Sequence, residues 1–161
     1  MIIRPSKPED KQFLLDVFKS EDILDGFPMK TEAEIEDSCN FWIDMANRGY
    51  GLTCEVDGKL AAMAVLYIPI YDKLKHSSLF SIVVAEAFRR QNIGTSLINA
   101  LEQLGCHNYG LSIIHLEVYE KNEPAIRLYK KLGYKEYGKQ ENFIKDKGLY
   151  FSKILMEKRF K

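Results

Sequence analysis

The residues of greatest chemical interest lie in the stretch Phe80-Ser-Ile-Val-Val-Ala-Glu-Ala-Phe-Arg-Arg-Gln-Asn-Ile-Gly-Thr-Ser-Leu97. A β-branched apolar run passes into a polar turn, and apolar residues then recur at helical spacing as Ile93, Leu97, Leu101 and Leu104. The first turn of a helix presents unpaired N–H groups at the positive end of its dipole. Such a terminus receives a phosphate or pyrophosphate without many charged side chains, and Gly94 would permit a close backbone approach. An ordinary strand-to-helix turn with a solvated Arg89–Arg90 pair has the same features, so the turn alone leaves both readings open. It is neither a P-loop nor a dinucleotide fingerprint, because Gly-x-x-x-x-Gly-Lys-Ser/Thr and Gly-x-Gly-x-x-Gly are both absent.

The second informative stretch is Leu116-Glu-Val-Tyr-Glu-Lys-Asn-Glu-Pro-Ala-Ile-Arg-Leu-Tyr-Lys-Lys-Leu-Gly-Tyr134. A strand ends, Asn122 caps a helix, Pro124 sits in the first turn, and Gly133 terminates it. On residue grounds alone, Tyr129 fits a core position of this helix, and Ile82, Val83 and Val84 fit a core strand.

These stretches need a scaffold, and the rest of the sequence describes one. Ile2 to Arg4 reads as a short strand. Ser6 and Glu9 have the spacing of a capping box opening a helix to about Ser20. Glu21 to Met29 reads as a loop, followed by a helix from about Thr31 to Asn47. Leu52 to Val56 and Leu60 to Ile68 form a hairpin joined by Asp57-Gly58. Ser78 to Ala85 is the next strand, then a helix from about Asn92 to Cys106, a strand from Ile113 to Tyr119, and the helix ending at Gly133. Tyr134 to Tyr137 and Tyr150 to Met156 close the chain as a strand pair. The expected architecture is an α/β domain with antiparallel ends and a central, right-handed parallel β-α-β crossover.

Together the two stretches resemble the GNAT superfamily of acyl-CoA N-acyltransferases. That family's turn, Gln/Arg-x-x-Gly-x-Gly/Ala, is met by Arg89-Arg90-Gln91-Asn92-Ile93-Gly94, with Asn92 where the family usually has Gly. Asn tolerates left-handed backbone angles better than most residues, so the turn should survive. The later pattern, Asn-x-x-Ala-x-x-Leu-Tyr-x-x-x-Gly-Phe/Tyr, is matched at Asn122, Ala125, Leu128, Tyr129, Gly133 and Tyr134. The strict match covers about a third of the chain, while the order of elements agrees throughout. The resemblance implies a mixed, mostly antiparallel sheet with helices on both faces, forming a single domain over residues 1–161.

It also implies transfer of an acetyl group from acetyl-CoA to a primary amine, on a small molecule or a peptide. The strand backbone at Ile82, Val83 and Val84 would bind the pantetheine arm. N–H groups of Arg90, Gln91, Asn92, Ile93, Gly94 and Thr95 would hold the pyrophosphate, and Asn122 would contact the arm. Tyr129 would protonate the leaving thiolate, a phenol near its ordinary pKa being a suitable acid. The Val84 N–H would serve the oxyanion. Glu117 stands at the base position of the branch that acetylates protein N-termini; a water chain is the alternative base, and a solvated glutamate the bland reading. The acceptor side would use the Ser20–Met29 loop, where Glu21, Asp22 and Asp25 could attract a cationic amine beside Phe27. A cofactor-binding module without transfer activity remains the competing reading.

Composition narrows the partners. Lys plus Arg and Asp plus Glu number 23 each, so the net charge is zero. That disfavours nucleic acid and a polybasic membrane contact. The longest apolar run, Leu60 to Ile70, is too short to span a bilayer. Cys39, Cys54 and Cys106 are scattered and odd in number, which points to reduced thiols in a cytoplasm. His76, His107 and His115 have no metal-binding spacing, so no metal site is expected. A monomer and a homodimer both remain open.

Overall fold

The computed structural model describes all residues, 1–161. The elements in order are β1 (Ile2–Pro5), α1 (Lys11–Val17), α2 (Glu21–Leu24), α3 (Glu32–Asn47), β2 (Gly51–Val56), β3 (Lys59–Tyr67), β4 (Ser77–Val84), α4 (Ile93–Tyr109), β5 (Ile113–Tyr119), α5 (Glu123–Lys131), β6 (Lys135–Asp146) and β7 (Leu149–Arg159). The strands form one seven-stranded sheet in the order β1-β2-β3-β4-β5-β7-β6. Every neighbouring pair is antiparallel except β4 and β5, which are parallel and joined through α4.

Strand alternation splits the core in two. Ala62, Ala64 and Leu66 of β3 face one side with Phe80, and pack under Leu97, Ile98 and Leu101 of α4. Met63 and Val65 face the other side with Val83, under Trp42 and Met45 from α3 and Phe18 just past the end of α1. A strand buried on both faces reads as the continuous apolar run seen at β3. No helix is long and apolar enough to cross a membrane.

Several local expectations are met by specific geometry. Asp57 and Gly58 both adopt positive φ, 50° and 75°, as a tight two-residue hairpin requires. Thr31 accepts from the Glu34 N–H while the Glu34 carboxylate accepts from the Thr31 N–H, which fixes the start of α3. Other expectations need correction. Ser6 is no helix cap: its hydroxyl pairs with Thr53 at 2.8 Å. Asp10 instead accepts from the Lys7 N–H, two Arg4 nitrogens and the Thr53 hydroxyl, tying β1 and β2 to the turn before α1. The Glu21–Met29 loop contains α2, a helix too short to be signalled by its own propensity. It is held by burial of Ile23 and by an Arg89–Asp22 ion pair. The closing strands are far longer than expected, at 12 and 11 residues. Exposure of most of β6 removes apolar alternation, and bulges after Glu136 and Gln140 disturb its period.

Candidate active site

The sheet is open at one place. β4 and β5 pair only from Ser77–Ile113 to Leu79–His115. Beyond that point β4 stays bonded to β3 as far as Val84, and β5 stays bonded to β7 as far as Tyr119. The two parallel strands therefore diverge, and a cavity of about 660 Å³ fills the wedge. Its walls include Ile82 and Val84 from β4, Glu117 from β5, Gly94 from α4, and Asn122 and Tyr129 from α5. That volume suits a small-molecule or cofactor site.

The free edge of β4 is a row of unpaired backbone groups. The Ala85 N–H donates to Ala61 O of the β3 side. Alternation along the strand then turns Val83 toward β3, and turns the N–H and C=O of Ile82 and Val84 into the wedge. Of the three strand positions expected to bind through the backbone, two thus face the cavity. Val83 spends its backbone groups on β3 and its side chain on the core under α3.

The cavity ends at the turn before α4. Arg90 and Asn92 both adopt left-handed angles, with φ of 61° and 60°. Asn92 was the residue expected to do so; Arg90 carried no such signal. None of the six consecutive N–H groups from Arg90 to Thr95 donates to an acceptor in the chain, and the first inward bond runs from Ser96 N to Asn92 O at 3.0 Å. Arg90 to Asn92 are exposed, while Ile93 is buried and Gly94 and Thr95 are half-buried, and buried or half-buried N–H groups seldom lack a partner. Successive donors around left-handed residues at a helix start make an anion-binding concavity. Gly94 lines it, and its lack of a Cβ also serves packing: a Cβ there would sit 3.3 Å from Leu128 Cδ2, so glycine admits close approach of α5 to α4.

Asn122 has two tasks. Its Oδ1 accepts the Ala125 N–H at 3.3 Å and caps α5, which leaves its amide NH₂ for the cavity and the nearby α2 segment. Tyr129 is 9% exposed, with its ring edge-on to Phe80 at 5.9 Å. Burial alone pushes its phenol up to about 12. Such a group stays protonated through the whole physiological range and acts as a hydrogen-bond donor.

Glu117 points to the cavity from β5, with its carboxylate Oε2 bonded to Lys153 Nζ at 2.7 Å. Lys153 is nearly buried and lies 3.8 Å from the Phe143 ring centroid. Sequence reasoning missed Lys153, since a lone lysine in an amphipathic strand reads as a solvated position. Asp22 is likewise engaged, by Arg89, so it does not stand free to attract a cation. Asp25 borders both the main cavity and a second one of about 320 Å³, which Phe27 and Lys121 also share. The second cavity lies between the α2 segment and the β6–β7 hairpin. The arrangement thus brings an anion cradle, an extended unpaired strand edge, a hydroxyl donor and a carboxylate to one cleft.

A sequence profile described as the Acetyltransferase (GNAT) family matches residues 14–134. Over 63 residues the chain is 44% identical to an N-alpha-acetyltransferase of Sulfurisphaera tokodaii, which covers 39% of this chain and 38% of that protein. Over 88 residues it is 33% identical to the [ribosomal protein bS18]-alanine N-acetyltransferase of Escherichia coli K12, covering 54% of this chain and 55% of that one. The chain thus spans less than two thirds of the length of these curated relatives. In fold it resembles the ribosomal-protein-alanine N-acetyltransferase of Brucella melitensis, with a TM-score of 0.85 at 20% identity over 99% of this chain and 100% of that one. It also resembles the spermidine N-acetyltransferase of Vibrio cholerae solved with CoA and spermine, with a TM-score of 0.79 at 20% identity over 98% and 94%.

Proposed function

The chain belongs to the GNAT acetyltransferase family, and from that premise we propose that it transfers the acetyl group of acetyl-CoA to the terminal amine of a polypeptide. The observation that carries the donor side is the run of six unpaired N–H groups at the mouth of a cleft edged by unpaired strand backbone. A pyrophosphate fits the first and an amide-bearing pantetheine arm fits the second. Both use backbone groups, so the fit depends little on side-chain identity.

In this reading the free amine attacks the thioester carbonyl carbon, the carbonyl oxygen becomes an oxyanion, and the C–S bond then breaks. Val84 lies at the cradle end of the edge, where a Cβ on Gly94 would come within 3.9 Å of its Cγ2, so the Ile82 N–H, nearer Phe80 and Tyr129, donates to the oxyanion in place of the Val84 N–H first expected. The Tyr129 hydroxyl donates to the departing sulfur. Its high pKa makes it a donor that stabilises the thiolate; the proton released by the attacking amine neutralises the sulfur afterwards. Glu117 faces the arriving ammonium with Oε1, its other oxygen being held by Lys153, and accepts the amine's proton directly or through water. Arg90, Gln91, Asn92, Ile93, Gly94 and Thr95 supply the pyrophosphate contacts, and Asn122 holds the arm beside Val84.

Two things favour a polypeptide over a free polyamine as acceptor. Two relatives with local identity above 30% are named for N-alpha and alanine N-acetylation. The second cavity continues the first past Asp25, Phe27 and Lys121, giving room for residues behind the terminal amine. The free thiols of Cys39, Cys54 and Cys106 suit a reducing cytoplasm, and residues 1–161 act as one catalytic domain. The test is release of free thiol from acetyl-CoA with short peptides bearing free or blocked N-termini, beside spermidine. Thiol release with free N-termini alone supports the proposal; turnover with spermidine and none with peptides overturns the acceptor assignment.

A further inference from the structure

Tyr129 has no hydrogen bond of its own within the chain, so the place of its hydroxyl in the cleft is set by what packs around its ring. Two rings pack against it and against each other: Phe80, and Tyr134, whose centroid lies 6.1 Å from that of Tyr129 and 5.7 Å from that of Phe80. The backbone builds this contact. Gly133 adopts φ +92°, the Gly133 N–H donates to Lys130 O, and the Tyr134 N–H donates to Tyr129 O, both at 3.0 Å. This pair of bonds around a left-handed glycine is the Schellman ending, which brings the residue after the glycine against the residue five before it.

Tyr134 is then anchored from outside α5. Its hydroxyl donates to Glu102 Oε1 of α4 at 3.0 Å. Lys158 Nζ of β7 pairs with the other oxygen, Glu102 Oε2, at 2.7 Å. Glu102 is 7% exposed, an uncommon burial for a carboxylate, and both of its oxygens are used. The cluster joins three elements: α4, which begins at the anion cradle; α5, which carries Tyr129; and β7, which carries Lys153. Packing of these helices on the sheet needs no buried carboxylate, since well-packed apolar residues do as well or better. What a charged, fully bonded cluster adds is one fixed geometry.

We propose that Tyr134, locked by Glu102 and Lys158, is the positioning residue that holds the Tyr129 hydroxyl at the reacting sulfur. The inference rests on the reading that Tyr129 donates to the leaving thiolate. Tyr134→Phe keeps the ring and removes only the bond to Glu102, which stays paired with Lys158. A displacement of the Tyr129 hydroxyl by a fraction of an ångström should lower kcat about 3- to 10-fold, well short of the ~100-fold for a full 1 Å misplacement. The KM for acetyl-CoA and the Kd of CoA should stay within twofold, because the cradle is untouched.

The deciding measurement is a double-mutant cycle on kcat with Tyr129→Phe. Tyr134→Phe should cost turnover in the native background and nothing in the Tyr129→Phe background. Equal losses in both backgrounds, or no loss in either, would overturn the positioning role. Normal turnover of Tyr129→Phe by itself would instead remove the thiolate reading on which the inference stands, and the two failures are thereby told apart. Glu102→Gln, which keeps an oxygen for the Tyr134 hydroxyl but loses the charge facing Lys158, runs the same cycle if Tyr134→Phe does not fold. Its loss should be smaller and equally dependent on Tyr129.

Discussion

Tyr129→Phe separates chemistry from packing. In the folded protein burial pushes the phenol up to about 12. An ordinary aliphatic thiol has a pKa of about 8.5, so complete proton transfer from Tyr129 to a thiolate runs uphill by about 3.5 units, or about 5 kcal/mol. In the proposed reaction Tyr129 is therefore a donor to developing charge rather than a stoichiometric acid. Removing one such donor from a transition-state charge costs on the order of 100-fold in kcat, about 2.7 kcal/mol. The hydroxyl bonds to nothing in the chain, so Phe at this position should leave the melting temperature and the CoA affinity unchanged. The pH profile carries an independent signature: with the phenol near 12, no fall in kcat assignable to Tyr129 should occur between pH 7 and 10. Steady-state thiol release across that range, on both proteins, is the assay. Turnover within twofold of the native value would refute the donor role, and an alkaline fall near pH 10 that vanishes in the Phe variant would refute the argument from burial.

Other perturbations have equally definite outcomes. Gly94→Val must push Leu128 away from a contact that a Cβ alone would make at 3.3 Å; calorimetry should find weaker CoA binding together with a loss of about 1–3 kcal/mol in stability, the usual overpacking cost. Asn92→Gly keeps the left-handed angle freely and should bind CoA within threefold of the native affinity, whereas Asn92→Val, a β-branched residue at φ 60°, should bind far more weakly. Glu117→Gln strips the charge partner from nearly buried Lys153, so stability should fall by about 1–2 kcal/mol and return in the Glu117→Gln, Lys153→Met double variant, while its lost turnover recovers only as pH nears the acceptor amine's own pKa. Burial raises the Asp10 carboxyl, but bonds from Arg4, the Lys7 N–H and Thr53 outweigh it and hold the group below its usual range. A depressed carboxyl stabilises the fold above its unfolded pKa of about 3.9 and loses that contribution as pH falls through the folded value. The urea midpoints of native protein and Asp10→Asn should therefore differ most near neutrality and converge in acid.

What the sequence made legible was the part built from local rules. The Asp57-Gly58 turn, the Thr31 cap, the Asn122 cap and the left-handed Asn92 each depend on a few adjacent residues, and each formed as expected. The features missed depend on partners distant in the chain. α2 exists because Ile23 is buried and Asp22 meets Arg89, 67 residues away. The closing strand was expected over Tyr134 to Tyr137, but β6 runs on to Asp146 because β7 bonds it, that extension being mostly exposed and bulged. Lys153 opposite Glu117 and Tyr134 opposite Glu102 are pairings across 36 and 32 residues, which no periodicity announces.

The same division runs through the site. The donor half of the cleft is made of backbone: an unpaired strand edge, six N–H groups and a helix dipole. Its demands fall on φ angles, so Arg90 and Asn92 can stand where glycine would be the easier choice, and the pattern stays readable in a single sequence. The acceptor half is made of side chains brought from α2, β5, β6 and β7, where identity decides everything and spacing says nothing. Asp22 illustrates the consequence. As a residue in an acidic loop it looks ready to greet an amine; in the fold its charge is spent on Arg89, at the edge of the anion cradle. Two other carboxylates line the cleft, Asp25 and Glu117, and the Glu117 partner Lys153 fixes one oxygen and leaves the other free. Under the proposed function, acceptor specificity falls to the space that Phe27, Lys121 and the β6–β7 hairpin leave beside Glu117, which shares few residues with the anion cradle.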